Sequence, residues 1–285
     1  MALTSKLITA ALLCGMAHQA YAADAAAPAA PAFDIGITIT GATDSFDYGL
    51  TNTHHLPQFS LNLNPTYDIF YGNIYMANID YGVPDPKLET RLQFGATPTF
   101  GDFSLDMNVT RRMRYGNNGD DRFVPYLAGT YKFSENFNAS VGGGAYIYDN
   151  AAKFNTSELY LGATASLDNG ASLQGEFYYD PYITGGGNLP AYREYVGTLT
   201  IPFLEKFTAA GKLGYESYDE PTLTSYTWYK ASLNYALNDQ IAFGVAYSGN
   251  DLVAGAACTS QAYTDCDSRF MASITLSGKI SDLSK

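Results

Sequence analysis

Residues 225–277 read SYTWYKASLNYALNDQIAFGVAYSGNDLVAGAACTSQAYTDCDSRFMASITLS, and they show a pattern that the rest of the chain repeats. Within them, segment 241–247 (IAFGVAY) carries a large apolar side chain at every odd position and a small one at every even position. This period of two predicts a β-strand with two different faces. The apolar face needs an apolar neighbour, which is a second sheet in a soluble sandwich and lipid in a transmembrane barrel.

The connections between the predicted strands decide between these two architectures, because they alternate in length. Short connections with the turn chemistry of Pro, Asn-Gly and Asn-Asp occur at 65–68, 168–170 and 237–239, for example, and long ones lie between them. Short turns on one side and long loops on the other, with an even number of strands, are typical of bacterial outer-membrane barrels. A soluble sandwich has no reason to sort its loops in this way.

The sequence therefore predicts an all-β fold, a single transmembrane antiparallel β-barrel of about 14 strands with short periplasmic turns and long acidic extracellular loops. The predicted strands are 34–42, 58–66, 69–79, 88–97, 102–112, 122–132, 137–148, 157–167, 171–180, 191–200, 207–216, 225–236, 240–248 and 268–279. The number falls to 12 if the pair around residues 122–148 is misassigned. Beyond residue 22, no apolar run approaches the roughly 18 residues that a membrane-spanning helix needs.

The first 22 residues have the features of a secretory signal, with an apolar stretch and the exit Ala20-Tyr21-Ala22. We predict cleavage before Ala23, then an Ala/Pro-rich linker at 23–33 and the barrel at 34–285. Export and a barrel fold together predict a location in the outer membrane of a Gram-negative bacterium. The expected partners are outer-membrane lipid and lipopolysaccharide, the barrel assembly machinery and small solutes.

The chain is acidic, with 16 basic and 28 acidic residues and a formal net charge of −12. The signal carries one basic residue, Lys6, and no acid, so its removal takes the net charge to −13. This charge argues against nucleic acid as a partner. Acids spread over every outer loop predict a mouth that concentrates cations. They are Asp44, Asp47, Asp80, Asp85, Asp120, Asp121, Asp149, Asp180, Asp219, Glu220, Asp251, Asp265 and Asp267.

Strand alternation also assigns the two faces of the predicted barrel. In segment 103–114 the odd positions are apolar up to Val109 and the even positions are polar, so the even positions face the lumen. Arg111 is the exception, on the lipid side near the outer rim, where an anionic lipid head group is a candidate partner. The charged residues predicted to line the pore are Glu89, Arg91, Asp106, Arg112, Arg114, Glu158, Glu176, Lys212, Glu216 and Lys230.

A second group of charges lies where the predicted fifth strand ends. Arg112 and Arg114 come close in sequence to Asp120 and Asp121, in the loop that returns to Arg122. Opposed charges of this kind set a transverse field and an ion preference in pores. The alternative is that these charges only solvate the loop and pair with one another. With the acidic mouth, they lead us to predict a modest preference for small cations.

The sequence offers no catalytic residue, metal site or cofactor site. After signal cleavage only His54 and His55 remain, adjacent in the first long loop, and no local signature supplies the nucleophile and orienting acid that acyl transfer needs. Cys258 and Cys266 lie in one loop, and in an oxidising compartment they predict a local disulfide. Two thiols without a nearby histidine lack the remaining ligands of a metal site.

Three segments follow a recognisable order after the signal and the first strand. They are LPQFSL at 56–61, FYGNIYMANID at 70–80 and WYKASL at 228–233. In this order they resemble the TorF family of proteobacterial porin-like proteins. The resemblance implies an outer-membrane β-barrel with a passive channel role and no assigned catalytic residues. One departure is the C-terminus, which runs on to Lys285 where outer-membrane barrels usually finish with an aromatic residue.

We therefore expect a non-enzymatic outer-membrane channel for the passive diffusion of ions or small polar solutes. One alternative is a barrel without a useful pore, which acts as a structural or adhesion protein through its loops. Another is a soluble periplasmic β-protein, which would be recovered folded without detergent. Conductance in planar bilayers separates the channel from the non-conducting barrel.

Overall fold

The structure is a computed structural model that describes residues 33–80, 87–115, 121–149, 155–181, 191–219, 223–252 and 266–284. The predicted signal, the linker up to residue 32, Asp120 and Cys258 lie outside these ranges. Within them, no helix is long and apolar enough to cross a membrane. The chain there is almost entirely β-structure.

Fourteen long strands form the barrel, and we number them in chain order. They are β1 (Asp34–Ala42), β2 (Gln58–Tyr67), β3 (Phe70–Asn78), β4 (Leu88–Ala96), β5 (Phe103–Tyr115), β6 (Arg122–Ser134), β7 (Phe137–Tyr148), β8 (Thr156–Ser166), β9 (Ser172–Asp180), β10 (Tyr192–Phe203), β11 (Phe207–Tyr218), β12 (Tyr226–Ala236), β13 (Ile241–Asn250) and β14 (Arg269–Lys279). Three strands of two residues each lie outside this set, at Phe46–Asp47, Leu50–Thr51 and Thr99–Phe100. A 3-10 helix, Ile280–Ser284, follows β14.

The sheet closes on itself, because each of the fourteen strands pairs antiparallel with two neighbours. Sequential strands pair with each other, and β1 completes the ring by pairing with β14, with Gly36 opposite Lys279 and Ala42 opposite Ser273. A closed sheet has no unpaired edge. The prediction of about 14 strands is confirmed, and segment 122–148 forms two full strands paired along most of their length.

The two faces of the barrel differ in composition, as the alternation predicted. The outer face exposes large apolar side chains, with exposed fractions of 61 % for Phe94, 61 % for Val141 and 80 % for Phe270. Others exposed on this face are Phe59, Leu92, Leu127, Leu159, Leu161, Leu173, Leu199, Leu213, Val245 and Ile274. An apolar surface of this extent is stable only against an apolar neighbour. The charged residues predicted for the pore occupy the alternate positions of the strands, on the opposite face of the sheet.

The connections are sorted by length, as predicted from the sequence. One end carries tight turns such as Asp68–Ile69 and Glu135–Asn136, and left-handed backbone at Asp68 and Gly170 helps the chain to reverse there. The other end carries the long connections, of which residues 43–57 are described throughout. We call these the short-turn end and the long-loop end.

Candidate functional site

The first long connection, residues 43–57, folds into the barrel instead of extending away from it, and we call it the lumen loop. Its strands Phe46–Asp47 and Leu50–Thr51 pair only with each other. Leu50 is 2 % exposed and packs in one cluster with Val196 of β10 and Trp228 of β12, which face the lumen. The sequence predicts an outer loop for this segment, and that prediction is wrong because the segment packs against lumen-facing side chains.

Asp44 holds the lumen loop together from within. One of its carboxylate oxygens accepts hydrogen bonds from the Ser45 amide at 2.6 Å, the Thr51 hydroxyl at 2.7 Å and the Thr53 hydroxyl at 2.8 Å. Its other oxygen lies 2.8 Å from Nδ1 of His55. Local bonds of this kind let an aspartate fix a turn. Asp44 is therefore buried in the loop, although it was expected among the exposed acids of the mouth.

The lumen loop is anchored to the wall through its backbone. The side-chain amide nitrogen Nδ2 of Asn250, at the end of β13, donates a 2.8 Å hydrogen bond to the Gly49 backbone carbonyl. Gly49 has a φ of +72°, and a Cβ built on it would lie 2.5 Å from the Gly249 carbonyl oxygen. The Tyr48 ring meets the Trp228 ring edge-on at 5.9 Å between centroids. Only glycine fits this position, because both the dihedral and the close approach exclude a side chain.

Replacing Gly49 by alanine is expected to loosen the lumen loop. The left-handed backbone costs a residue other than glycine about 1–3 kcal/mol, and the new methyl group would displace the loop from Gly249. Single-channel recordings of Gly49→Ala should show larger and noisier current steps than the parent. Gly211→Ala is the matched control, because a Cβ there meets nothing within 4 Å. Identical traces for all three proteins would contradict the anchoring role.

The lumen loop brings Asp47 between two sides of the barrel. Asp47 interacts electrostatically with Arg91 on β4 and with Lys212 and Lys230 on β11 and β12. In a ring of fourteen strands, β4 and β11 lie on opposite sides. Burial raises the pKa of the Asp47 carboxyl, while the three basic side chains act in the opposite direction. The loop therefore places the Asp47 carboxylate between opposite sides of the barrel, and its residues narrow the lumen.

One wall of the lumen carries three arginines around one carboxylate. Glu89 is 2 % exposed and accepts hydrogen bonds from Arg91 at 2.5 Å, Arg112 at 2.6 Å and Arg114 at 2.8 Å. The strand register places Glu89 opposite Arg114, and Arg91 opposite Arg112. Charge-assisted bonds of this kind are stronger than neutral ones. With three positive charges to one negative, this arginine wall is net positive.

The transverse field expected from Arg112 and Arg114 and the acids of the following loop stays a prediction, because Asp120 lies outside the described residues. Both guanidinium groups bind Glu89, and Asp121 accepts the backbone N–H of Arg114 at 2.8 Å. Arg122 lies on β6, where it donates to the Tyr148 hydroxyl at 2.7 Å. The register of β4 against β5 decides this arrangement, and the spacing of charges along the sequence does not reveal it.

The facing wall, from β7 to β11, carries carboxylates that are hydrogen-bonded to tyrosines. The hydroxyl donors and their acceptors are Tyr146 to Glu158 at 3.0 Å, Tyr178 to Glu176 at 3.0 Å, Tyr192 to Glu194 at 3.1 Å and Tyr218 to Glu216 at 2.5 Å. Glu194 is not among the pore residues predicted from the sequence. Its alternation with the exposed Tyr195 and Leu199 of the same strand is the signal that could have found it. We call this set the acidic wall.

The other predicted pore residues also lie on the inner face. Asp106 accepts hydrogen bonds from the Tyr71 hydroxyl at 2.6 Å and from Asn108 at 3.1 Å. The Lys212 ammonium lies 5.0 Å from the centroid of the Trp228 ring, and Lys212 is directly opposite Lys230 in the strand register. Lys212 is on β11, the same strand as Glu216, and Lys230 is on the neighbouring strand β12.

Arg111 lies on the outer face of β5, as predicted, but its partner is a protein carboxylate. Its guanidinium binds both carboxylate oxygens of Asp149, one of them at 2.7 Å. This hydrogen bonding lowers the pKa of Asp149, which lies just beyond β7. A lipid head group is therefore not needed to neutralise Arg111.

Cys266 joins the apolar cluster under the lumen loop. It is 8 % exposed, is disulfide-bonded, and packs with Leu50 and Trp228. Its predicted partner, Cys258, lies outside the described residues, so the pairing stays a prediction. Within the described ranges, no three His, Cys, Asp or Glu side chains are placed so that they could share a metal ion.

A closed antiparallel barrel with an apolar outer face and a charged, loop-narrowed interior has the architecture of porin-like outer-membrane barrels. The chain is similar to the solved structure of a Salmonella typhi OmpF complex with daunomycin, with a TM-score of 0.56, 8 % identity, and coverage of 88 % of this chain and 97 % of that one. It is also similar to a solved porin structure, with a TM-score of 0.48, 12 % identity, and coverage of 88 % of this chain and 100 % of that one. A third similar structure is the Vibrio cholerae outer-membrane protein OmpT with loop L8 deleted, with a TM-score of 0.48, 11 % identity, and coverage of 87 % of this chain and 99 % of that one.

Because the sequence identity to OmpF is 8 %, the similarity shows a shared fold and nothing more. No protein-family model matches the sequence. No curated protein matches it either.

Proposed function

We propose that this protein is an outer-membrane channel through which ions or small polar solutes diffuse passively. The observation that carries the proposal is the lumen loop, which holds Asp47 between the arginine wall and the lysines of β11 and β12. Charged side chains from opposite sides of a narrowed lumen are the means by which a pore selects what passes. A barrel with only a structural role would not need them there.

The size of the barrel supports the same proposal. Barrels of about eight strands are filled by their own side chains, and barrels of 16 to 18 strands leave an aqueous channel. Fourteen strands lie between these cases, so part of the lumen is left for water and solute. The buried charges lining it, including Glu89 and Glu194, need water or partners that an apolar core would not supply.

The direction of ion selectivity stays a prediction. The arginine wall favours anions, whereas the acidic wall and the acidic outer loops favour cations. With a formal net charge of −12 over the whole chain, we propose a modest cation preference. We also propose that the TorF resemblance reflects kinship, that the short-turn end is periplasmic, and that the chain is assembled by the barrel machinery beside lipopolysaccharide.

Planar-bilayer recording tests the channel directly. The refolded barrel should give discrete current steps in potassium chloride, with a reversal potential in a salt gradient that indicates cation preference. A gel-shift on heating would show that the inserted protein is folded. Folded protein that inserts and never conducts would contradict the channel and favour a structural or adhesion barrel. An anion-selective reversal potential would contradict the selectivity alone.

A further inference from the structure

Two carboxylates of the acidic wall stand side by side on neighbouring strands. Glu194 of β10 and Glu216 of β11 are directly opposite in the strand register. Residues in such positions have Cβ atoms about 4.5–5.5 Å apart, and like charges there are destabilising. Glu194 is 3 % exposed and Glu216 is 4 % exposed, so bulk water does not separate them. A proton or a bound cation must therefore compensate this pair.

The hydrogen bonds of the pair leave one oxygen unused. Tyr192 donates to Oε2 of Glu194, and Tyr218 donates to Oε2 of Glu216. Oε1 of Glu194 is buried and has no hydrogen-bond partner in the described part of the chain. Buried carboxylate oxygens are rarely left without a donor or a cation, because desolvation is costly. This oxygen is therefore positioned for a ligand.

The charges around the pair leave a negative excess. Asp47 of the lumen loop interacts electrostatically with both Glu194 and Glu216, which adds a third carboxylate. Lys212 interacts with Glu194 and with Asp47, while Lys230 interacts with Asp47. Arg91 also interacts with Asp47, but it is hydrogen-bonded to Glu89 on the arginine wall, so the Glu194–Glu216 pair has two carboxylates beside Lys212. A single further positive charge would balance this pair.

We propose that Glu194 and Glu216 form a binding site for one small monovalent cation, potassium or ammonium, beside the narrowing made by the lumen loop. A divalent ion demands many oxygen ligands, and no three acidic or histidine side chains are gathered for one among the described residues. The tyrosine hydroxyls of Tyr192 and Tyr218 and retained water would complete the coordination of a monovalent ion. As a subsite of the channel, this inference rests on the proposed function.

Single-channel conductance against salt concentration tests the site. In potassium chloride and in ammonium chloride, the parent should give conductance that saturates, because each ion must leave before the next one enters. In Glu194→Gln the half-saturating concentration should rise about tenfold, which corresponds to about 1.4 kcal/mol of binding free energy. Lys212→Gln should lower the half-saturating concentration, because the Lys212 ammonium competes with the bound cation for the carboxylates. Saturation in only one of the two salts would identify which ion the site accepts.

The control removes one acid at the same end of the barrel but outside the lumen. Asp219 is 51 % exposed at its side chain and pairs with Arg193 on the outer face, so Asp219→Asn should leave the half-saturating concentration unchanged. If the conductance of the parent rises linearly with salt concentration, or if the half-saturating concentration is unchanged in Glu194→Gln, the site is contradicted. Neither result would contradict the channel. A shift as large in Asp219→Asn would show an effect of overall charge and would also overturn the site.

A crystallographic measurement keeps the site testable if the barrel does not conduct. Crystals soaked in rubidium chloride should show an anomalous peak within ligand distance of Oε1 of Glu194, and the peak should be absent from Glu194→Gln. A peak in a barrel without conductance would support the site and contradict the channel. No peak in the parent would overturn the site.

Discussion

Removing the tip of the lumen loop is expected to raise the single-channel conductance severalfold and to weaken ion selectivity. In this variant a single glycine replaces residues 46–51. The expectation follows because those residues occupy the lumen and carry Asp47, a loop carboxylate that interacts with side chains of both walls. The barrel itself should fold as before, because the two short strands pair only with each other.

A second variant separates the space that the loop fills from the way it is anchored. Replacing residues 46–51 by six glycine and serine residues keeps the chain length but removes Phe46 and Leu50, which are 4 % and 2 % exposed. It should conduct more than the parent, with rapid fluctuations as the loop moves. Heat-modifiability on a gel confirms that both variants are folded. Unchanged conductance in a folded deletion variant would show that the loop does not restrict the pore.

Glu89→Ala is expected to be the most destabilising single substitution in the barrel wall. It leaves Arg91, Arg112 and Arg114 together without their shared acceptor. Breaking a buried ion pair by removing one partner costs about 3–5 kcal/mol, because the remaining charge is left uncompensated. The measurement is the free energy of unfolding by urea in lipid vesicles. The same variant, where it folds, should shift the reversal potential toward anions, since one negative charge leaves the narrow part of the pore.

The double variant Glu89→Ala/Arg112→Ala tests whether repulsion is the cause. Removing one arginine as well should recover part of the lost stability, because fewer like charges remain in contact. Glu176→Ala is the matched control. The Glu176 carboxylate accepts a hydrogen bond from Tyr178 and belongs to the acidic wall, not to the arginine wall. An equal loss for Glu89→Ala and Glu176→Ala would contradict the special role of the arginine wall.

The strands could be predicted because each one carries its own signal. The predicted segment 240–248 agrees with β13, Ile241–Asn250, because alternation of large and small side chains is a local property. The sixth strand was less clear in the sequence, where Pro125 and Gly129 stand at outward positions otherwise taken by apolar side chains. Pairing with β5 and β7 decides that strand, which is information from outside it.

The lumen loop could not be predicted, because its position depends on contacts that are distant in sequence. Leu50 is buried because it packs in a cluster with Val196, Trp228 and other residues far away in the sequence. In the sequence, Phe46 and Leu50 are two apolar residues in a loop, flanked by the glycine at 49 and by Asp44. That combination is a weak signal for a loop that turns inward. The partners of Glu89 were hidden for the same reason, since they follow from the register of β4 against β5.

The proposed channel requires lipid outside the barrel and water inside it. Spin labels at two adjacent positions of β4 test this directly. Phe94 points outward and is 61 % exposed, while Gln93 bonds to Asn108 inside. In lipid vesicles, a label at position 94 should be relaxed by oxygen and a label at position 93 by a water-soluble nickel complex. Equal access of the nickel complex to both labels would contradict the account.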